Sequence, residues 1–346
     1  MTVQELITPS ETKTGQILDL VRHALRKGGI DDEGAQLIIE QGGLLQQRLT
    51  PIFLELATPR GNSYTDEKTR LAYYYPKGWK AANLEEQRER LLAAFPGLKL
   101  PDPVFNGQIT NGFDGVGYHV FPERLGLHHD INDGNGDNYG QVIEEVVLPA
   151  LERVYEASGR SLYNYRAGEL GVNYIRLDAR GRAILDQMQE ASQFDAVIDP
   201  VSLGQLWKPQ TLSPRNARET CFLSKRMLPQ GSVQIGCHLV AMPDRLTDYE
   251  HLFIDCPGDE YNWDAGGAWA RCPCFGFYGD RLRFDAGGAG HANDGYGSGV
   301  ASLGAFIEYS LATHPSSCLP LAAFLEGLSI LFGQLPVYHT QVEVRV

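Results

Sequence analysis

The chain has 346 residues, 43% of them hydrophobic and 21% charged, which is globular composition with enough apolar material for one large domain or two modest ones. Its 43 acidic side chains against 30 basic ones give a formal charge of −13, which repels phosphate backbones and anionic bilayers. Nucleic acid and membrane are therefore not expected partners, whereas a protein partner is open.

The first hundred residues read as a helical unit. Thr8-Pro9-Ser10-Glu11 is a capping box with proline at the first helical position, followed by Ile17, Leu20, Val21, Ala24 and Leu25 on one face, and Gly28-Gly29 ends that helix. A second helix starts at Asp31 and Asp32, carries Ala35, Leu37, Ile38 and Ile39, and stops at Gly42-Gly43 before a third stretch, Leu44 to Ala57. After an aromatic, polar connector from Thr58 to Lys80, Asn83 with Glu86 three residues on predicts a helix to about Phe95. Pro96, Pro101 and Pro103 then punctuate the chain, so the division expected is 1–100 and 103–346.

From Val104 onward short aromatic and β-branched runs between glycines predict strands, among them Gly117 to Phe121, Phe194 to Pro200, Ser232 to Met242 and His251 to Cys256. Helices are expected over Gln141–Glu156, Asp178–Ser192, Ala301–Thr313 and Leu319–Leu331. Gly279-Asp280 inside Phe275 to Phe284 predicts a two-residue type II′ hairpin. The fold class that follows is α+β, with a helical amino-terminal unit, a strand-rich mixed domain and carboxy-terminal helices. The amino terminus lacks the pattern of a secretory signal, and Cys318 to Val337 is broken by Pro320, Glu326, Gly327 and Gly333, so a cytoplasmic protein with reduced thiols is expected.

One stretch is spaced like a twelve-residue calcium loop. Asp133, Asn135 and Asp137 would supply side-chain oxygens, Tyr139 a carbonyl, Gln141 a water-mediated contact and Glu144 a bidentate carboxylate, making calcium the cofactor to expect. Asn138 and Gly140 depart from that loop's usual glycine and apolar residue. His119, His128, His129 and Asp130 bring imidazole near carboxylate upstream, and Cys237, Cys256, Cys272 and Cys274 offer thiols without paired CxxC spacing. No phosphate-binding fingerprint occurs, so no nucleotide cofactor is expected.

Two hydrolase chemistries fit the residue types. Cys256 or Cys237 with His291 and Asp294 or Asn293 has the components of a thiol hydrolase. Asp255, Asp259 and Glu260, interleaved with Tyr261 and Trp263, have those of a glycosidase, one carboxyl as acid and another as base, with a ring under the sugar. A third option is a non-catalytic interaction surface built on aromatics such as Trp263 and Trp269.

The runs Met242-Pro243-Asp244-Arg245-Leu246, Asp255 to Tyr261 and Asn293-Asp294-Gly295-Tyr296-Gly297-Ser298 resemble parts of uncharacterised proteins of reduced-genome bacteria. The resemblance implies a bacterial cytoplasmic setting and brings no activity, cofactor or catalytic residue with it.

Overall fold

The computed structural model describes residues 67–303 except 108, 110, 111, 132–137, 225 and 265–267, together with 25, 27, 30–42 and 45. These residues fall in two compact units. The first is represented by helix α1 (Asp32–Glu40), whose cap Asp31 accepts from the Gly34 amide at 2.9 Å, as its sequence predicts. The predicted helix ending at Gly28-Gly29 and the stretch Leu44 to Ala57 lie almost wholly outside the described residues, as does Leu319–Leu331 entirely. Of the helix expected over Ala301–Thr313 only 301–303 are described, and Ala301 and Ser302 there end a strand instead.

The second unit is α+β. It runs β1 (Lys68–Arg70), α2 (Leu84–Ala94), β2 (Gly115–Val120), α3 (Pro122–His128), and a long helix α4 made of Tyr139–Gln141, the π-wound Val142–Val147 and Leu148–Glu156. There follow β3 (Ser161–Asn164), β4 (Ile175–Leu177), α5 (Ala179–Ala191), β5 (Ala196–Leu203), β6 (Gln210–Leu212), α6 (Pro214–Ser224), β7 (Met227–Pro229) and α7 (Ser232–Ala241). The unit closes with β8 (Phe253–Asp255), β9 (Asp259–Tyr261), β10 (Arg271–Tyr278), β11 (Arg281–Gly288) and β12 (Tyr296–Ser302). No helix among the described residues is long and apolar enough to cross a membrane.

Among the described residues ten strands form one mixed sheet ordered β2-β5-β12-β8-β10-β11-β3, with β7 beside β12 and the pair β4-β9 reaching it through β10, while β1 and β6 pair separately. The hairpin β10–β11 closes at Tyr278↔Arg281. Its turn has φ of +66° at Gly279 and no positive φ at Asp280, which is the II′ pattern the sequence predicts.

Helix α7 replaces the strand expected over Ser232 to Met242. All ten of its residues are buried, so no polar face marks a 3.6-residue period, and a short run rich in Val, Ile and Cys then reads equally well as a strand. Close packing depends on small residues: a Cβ on Gly299 of β12 would lie 2.1 Å from Ile235, and one on Gly236 would lie 2.2 Å from Val147 of α4. Val233, Ile235, Leu239 and Val240, all 0% exposed, each contribute about 2 kcal/mol by leaving water. Helix α2, capped by Asn83 as predicted, puts Leu84 and Leu91 into the same core as Tyr118 and Leu239, so the proline stretch 97–103 runs inside this unit rather than between two.

Candidate functional site

Strand pairing decides which candidates share a face. Asp255 of β8 stands opposite Cys274 of β10, Cys274 stands opposite Asp285 of β11, and Ser298 of β12 stands opposite Asp255. Directly paired residues point to one side of a sheet, so Ser298, Asp255, Cys274 and Asp285 form a row across four strands. The other face belongs to the core, where Ile254, Phe275, Phe284 and Leu282 are all 0% exposed. Two inter-strand spacings put the Asp255 and Asp285 backbones roughly 10 Å apart. Phe253 and Tyr296, each two residues earlier on its strand, lie on the same face as the row, with ring centroids 4.9 Å apart.

The two carboxyls have contrasting surroundings. Asp255 is 6% exposed and, among the described residues, has no hydrogen-bond or charge partner. Burial pushes its pKa up to about 8, so it holds its proton at neutral pH. Asp285 is a third exposed and salt-bridged. Its Oδ1 accepts from Arg166 Nε at 3.0 Å and from its neighbour's amide, Ala286 N, at 2.8 Å, and Arg166 Nη2 lies 2.9 Å away. Between them the Cys274 thiol is driven well up by burial and stays neutral.

Asp259 and Glu260 leave this face for a buried structural network. Asp259 accepts from Tyr139 Oη at 2.6 Å, from Ser232 N at 2.7 Å and from Ser232 Oγ at 2.5 Å. Burial raises its pKa to about 6, against the lowering effect of those bonds. Arg218 ties the turn together, donating to Pro257 O at 2.6 Å, to the Asp259 carbonyl and to Glu260 Oε1 at 3.0 Å. Behind it Asp178, the cap of α5, pairs with Arg180 at 2.9 Å. The three neighbouring carboxylates of the sequence therefore separate into one partnerless acid and two anchors.

Cys256 and His291 are not joined. Cys256 is 0% exposed with its thiol raised by burial, whereas His291 is exposed beyond the end of β11, with Asn293 and Asp294 also exposed. The histidines disperse too: His128 Nε2 lies 2.8 Å from Asp195, while His119, 0% exposed, meets Gln230 at 3.4 Å, which in turn meets His238 at 3.0 Å. Cys237 is sealed in α7. Among the described residues no group of three or more His, Cys, Asp or Glu could hold a metal ion.

Asp133, Asn135 and Asp137 lie outside the described residues. The rest of that loop is occupied otherwise. Tyr139 starts α4 and its carbonyl accepts from Val142 N, its phenol is committed to Asp259, and Glu144 Oε1 accepts from Gly168 N at 2.7 Å. Gln141 is exposed. Trp263, 54% exposed, lies under two guanidinium groups, Arg166 at 5.1 Å and Arg271 at 4.2 Å, and Trp269 stacks with Arg176 at 4.0 Å.

Asp285 and Arg218 escape a sequence reading because their partners are distant in the chain. Their one sequence signal is position: Asp285 falls on the same parity as Arg281 and Arg283 in a strand whose other residues are apolar. Comparison with known protein families, curated protein sequences and solved structures returned no match.

Proposed function

We propose that this protein is a hydrolase of glycosidic bonds acting through Asp255 and Asp285. The supporting observation is the shared row: a partnerless carboxyl held in its acid form and an arginine-paired carboxylate, two strands apart on one face. Backbones roughly 10 Å apart on one face of the sheet let the two carboxyls take the roughly 6.5–9.5 Å separation with which inverting enzymes make room for a water between base and sugar. Asp255 gives its proton to the leaving oxygen as the bond from that oxygen to the anomeric carbon breaks. Asp285 takes a proton from the water whose oxygen forms the new bond to that carbon, and the two carboxyls return to their starting states by exchange with solvent. Arg166 holds Asp285 by Oδ1. Phe253 and Tyr296 supply apolar ring surface beside the acid.

The test is a panel of aryl and alkyl glycosides with wild type, Asp255→Asn and Asp285→Asn. Asp285→Asn loses about 10²-fold or more on every substrate, whereas Asp255→Asn loses most on alkyl glycosides, whose poor leaving groups need the acid. Proton NMR shows the inverted anomer first. Rates fall as pH passes about 8 and Asp255 loses its proton. No hydrolysis across the panel, or turnover undiminished in both variants, overturns the proposal.

A further inference from the structure

A cleft lies apart from the row. Residues 72–77, 248–251 and Asp294 line a cleft of about 910 Å³. Backbone bonds pin the three segments: Ala72 N donates to Asp294 O at 2.9 Å, Leu252 N donates to Tyr74 O at 2.9 Å, and Tyr74 bridges to His251.

The lining combines ring faces with negative charge. Tyr73, Tyr74 and Tyr249 line it, with Tyr74 46% and Tyr249 53% exposed. Their phenols are fixed where they touch protein: Tyr74 Oη donates to Leu71 O at 3.2 Å, and Tyr249 Oη donates to Glu250 Oε1 at 3.0 Å. Asp248, Glu250 and Asp294 set three carboxylates against the single ammonium of Lys77. His251 adds no charge in this arrangement, because its Nδ1 accepts from Thr247 N at 3.1 Å and burial holds its pKa down. Tyr75 also lines the cleft, but its ring already carries the buried Arg245 guanidinium at 3.9 Å and its phenol donates to Asp114 at 2.5 Å, so that arginine has a carboxylate beside it.

Rings with exposed π faces beside carboxylates stabilise a cation that also has apolar surface, since the ring quadrupole attracts the charge and the carboxylates supply the longer-range field. A neutral sugar would gain the stacking without the charge. We propose that this cleft binds an alkylated ammonium group, with Tyr74 and Tyr249 as walls and Asp248 and Glu250 as counter-charges.

The test uses calorimetry on the full chain with choline and with 3,3-dimethylbutan-1-ol, its uncharged isostere. Choline is expected to bind about tenfold tighter or better, in line with a partly desolvated cation–π contact plus the carboxylate field. Tyr74→Ala and Glu250→Gln each weaken choline severalfold, while Tyr74→Phe keeps the ring and the affinity. Equal affinity for the two probes, no choline binding, or choline binding unmoved by Tyr74→Ala overturns the proposal. Circular dichroism on each variant separates loss of the site from loss of the fold.

Discussion

Two buried carboxyls should make this protein less stable as the solution becomes mildly alkaline. Asp199 sits on β5 opposite Gly117 of β2, is 1% exposed, and neither of its oxygens has a partner among the described residues. Burial raises its pKa from 3.8 to about 8, as it does for Asp255. A carboxyl whose pKa is raised by folding gives its full stability below the unfolded value and loses it as pH rises through the folded value. Two buried histidines work the other way: His119 is lowered from 6.5 to about 4 and His238 to about 3, so their contribution falls as pH drops below 6.5. The opposing slopes of these two pairs offset one another between about pH 4 and 6.5, where Asp259, raised to about 6, adds a further loss that levels off by about pH 7. From pH 6.5 to 8 the two aspartates act without that offset. Each costs up to about 1.4 kcal/mol per pH unit, flattening near 8, which gives a loss of about 3 kcal/mol over the window for the pair. Urea unfolding of wild type and of the Asp199→Asn, Asp255→Asn double variant at four pH values across this window measures it directly. Wild-type stability that stays level, or a decline that persists undiminished in the double variant, would refute the reasoning.

Two further perturbations test the packing around the site. Arg218→Met removes three donors from the 257–260 turn and leaves Asp178 and Glu260 short of a partner, so it should lower the unfolding free energy by about 4 kcal/mol, and a urea-derived loss below about 1 kcal/mol would contradict its anchoring role. Gly140→Ala should cost about 3 kcal/mol or more, because its Cβ would fall 1.4 Å from the Leu170 carbonyl oxygen. Gly171→Ala, with nothing within 4 Å of the added carbon, should stay within about 0.5 kcal/mol, and equal melting temperatures for the two variants would show that the chain yields at Gly140.

Much of the local structure was legible in the chain. Asn83 with Glu86 marked the start of α2, Asp178 the start of α5, and Gly279-Asp280 the turn between β10 and β11, because caps and tight turns are set by residues within three or four positions of one another. Helix α7 was not legible, since burial on every side erases the polar face that reveals a helix. The glycine at position 140, an oddity in a calcium loop, is explained by a carbonyl thirty residues downstream.

The carboxylates show the same division most clearly. Composition, net charge and the α+β pattern are properties of the sequence itself, and so was the clustering of Asp255, Asp259 and Glu260. Only the tertiary structure separated them, giving Asp259 to Tyr139 and Ser232, giving Glu260 to Arg218, and placing Asp255 in a row with Asp285 thirty residues further on. Periodicity and capping depend on near neighbours, which the sequence lists in order. Whether a carboxyl is paired, exposed or held in its acid form depends on which distant strand and which guanidinium arrive beside it, and that is fixed only when the sheet closes.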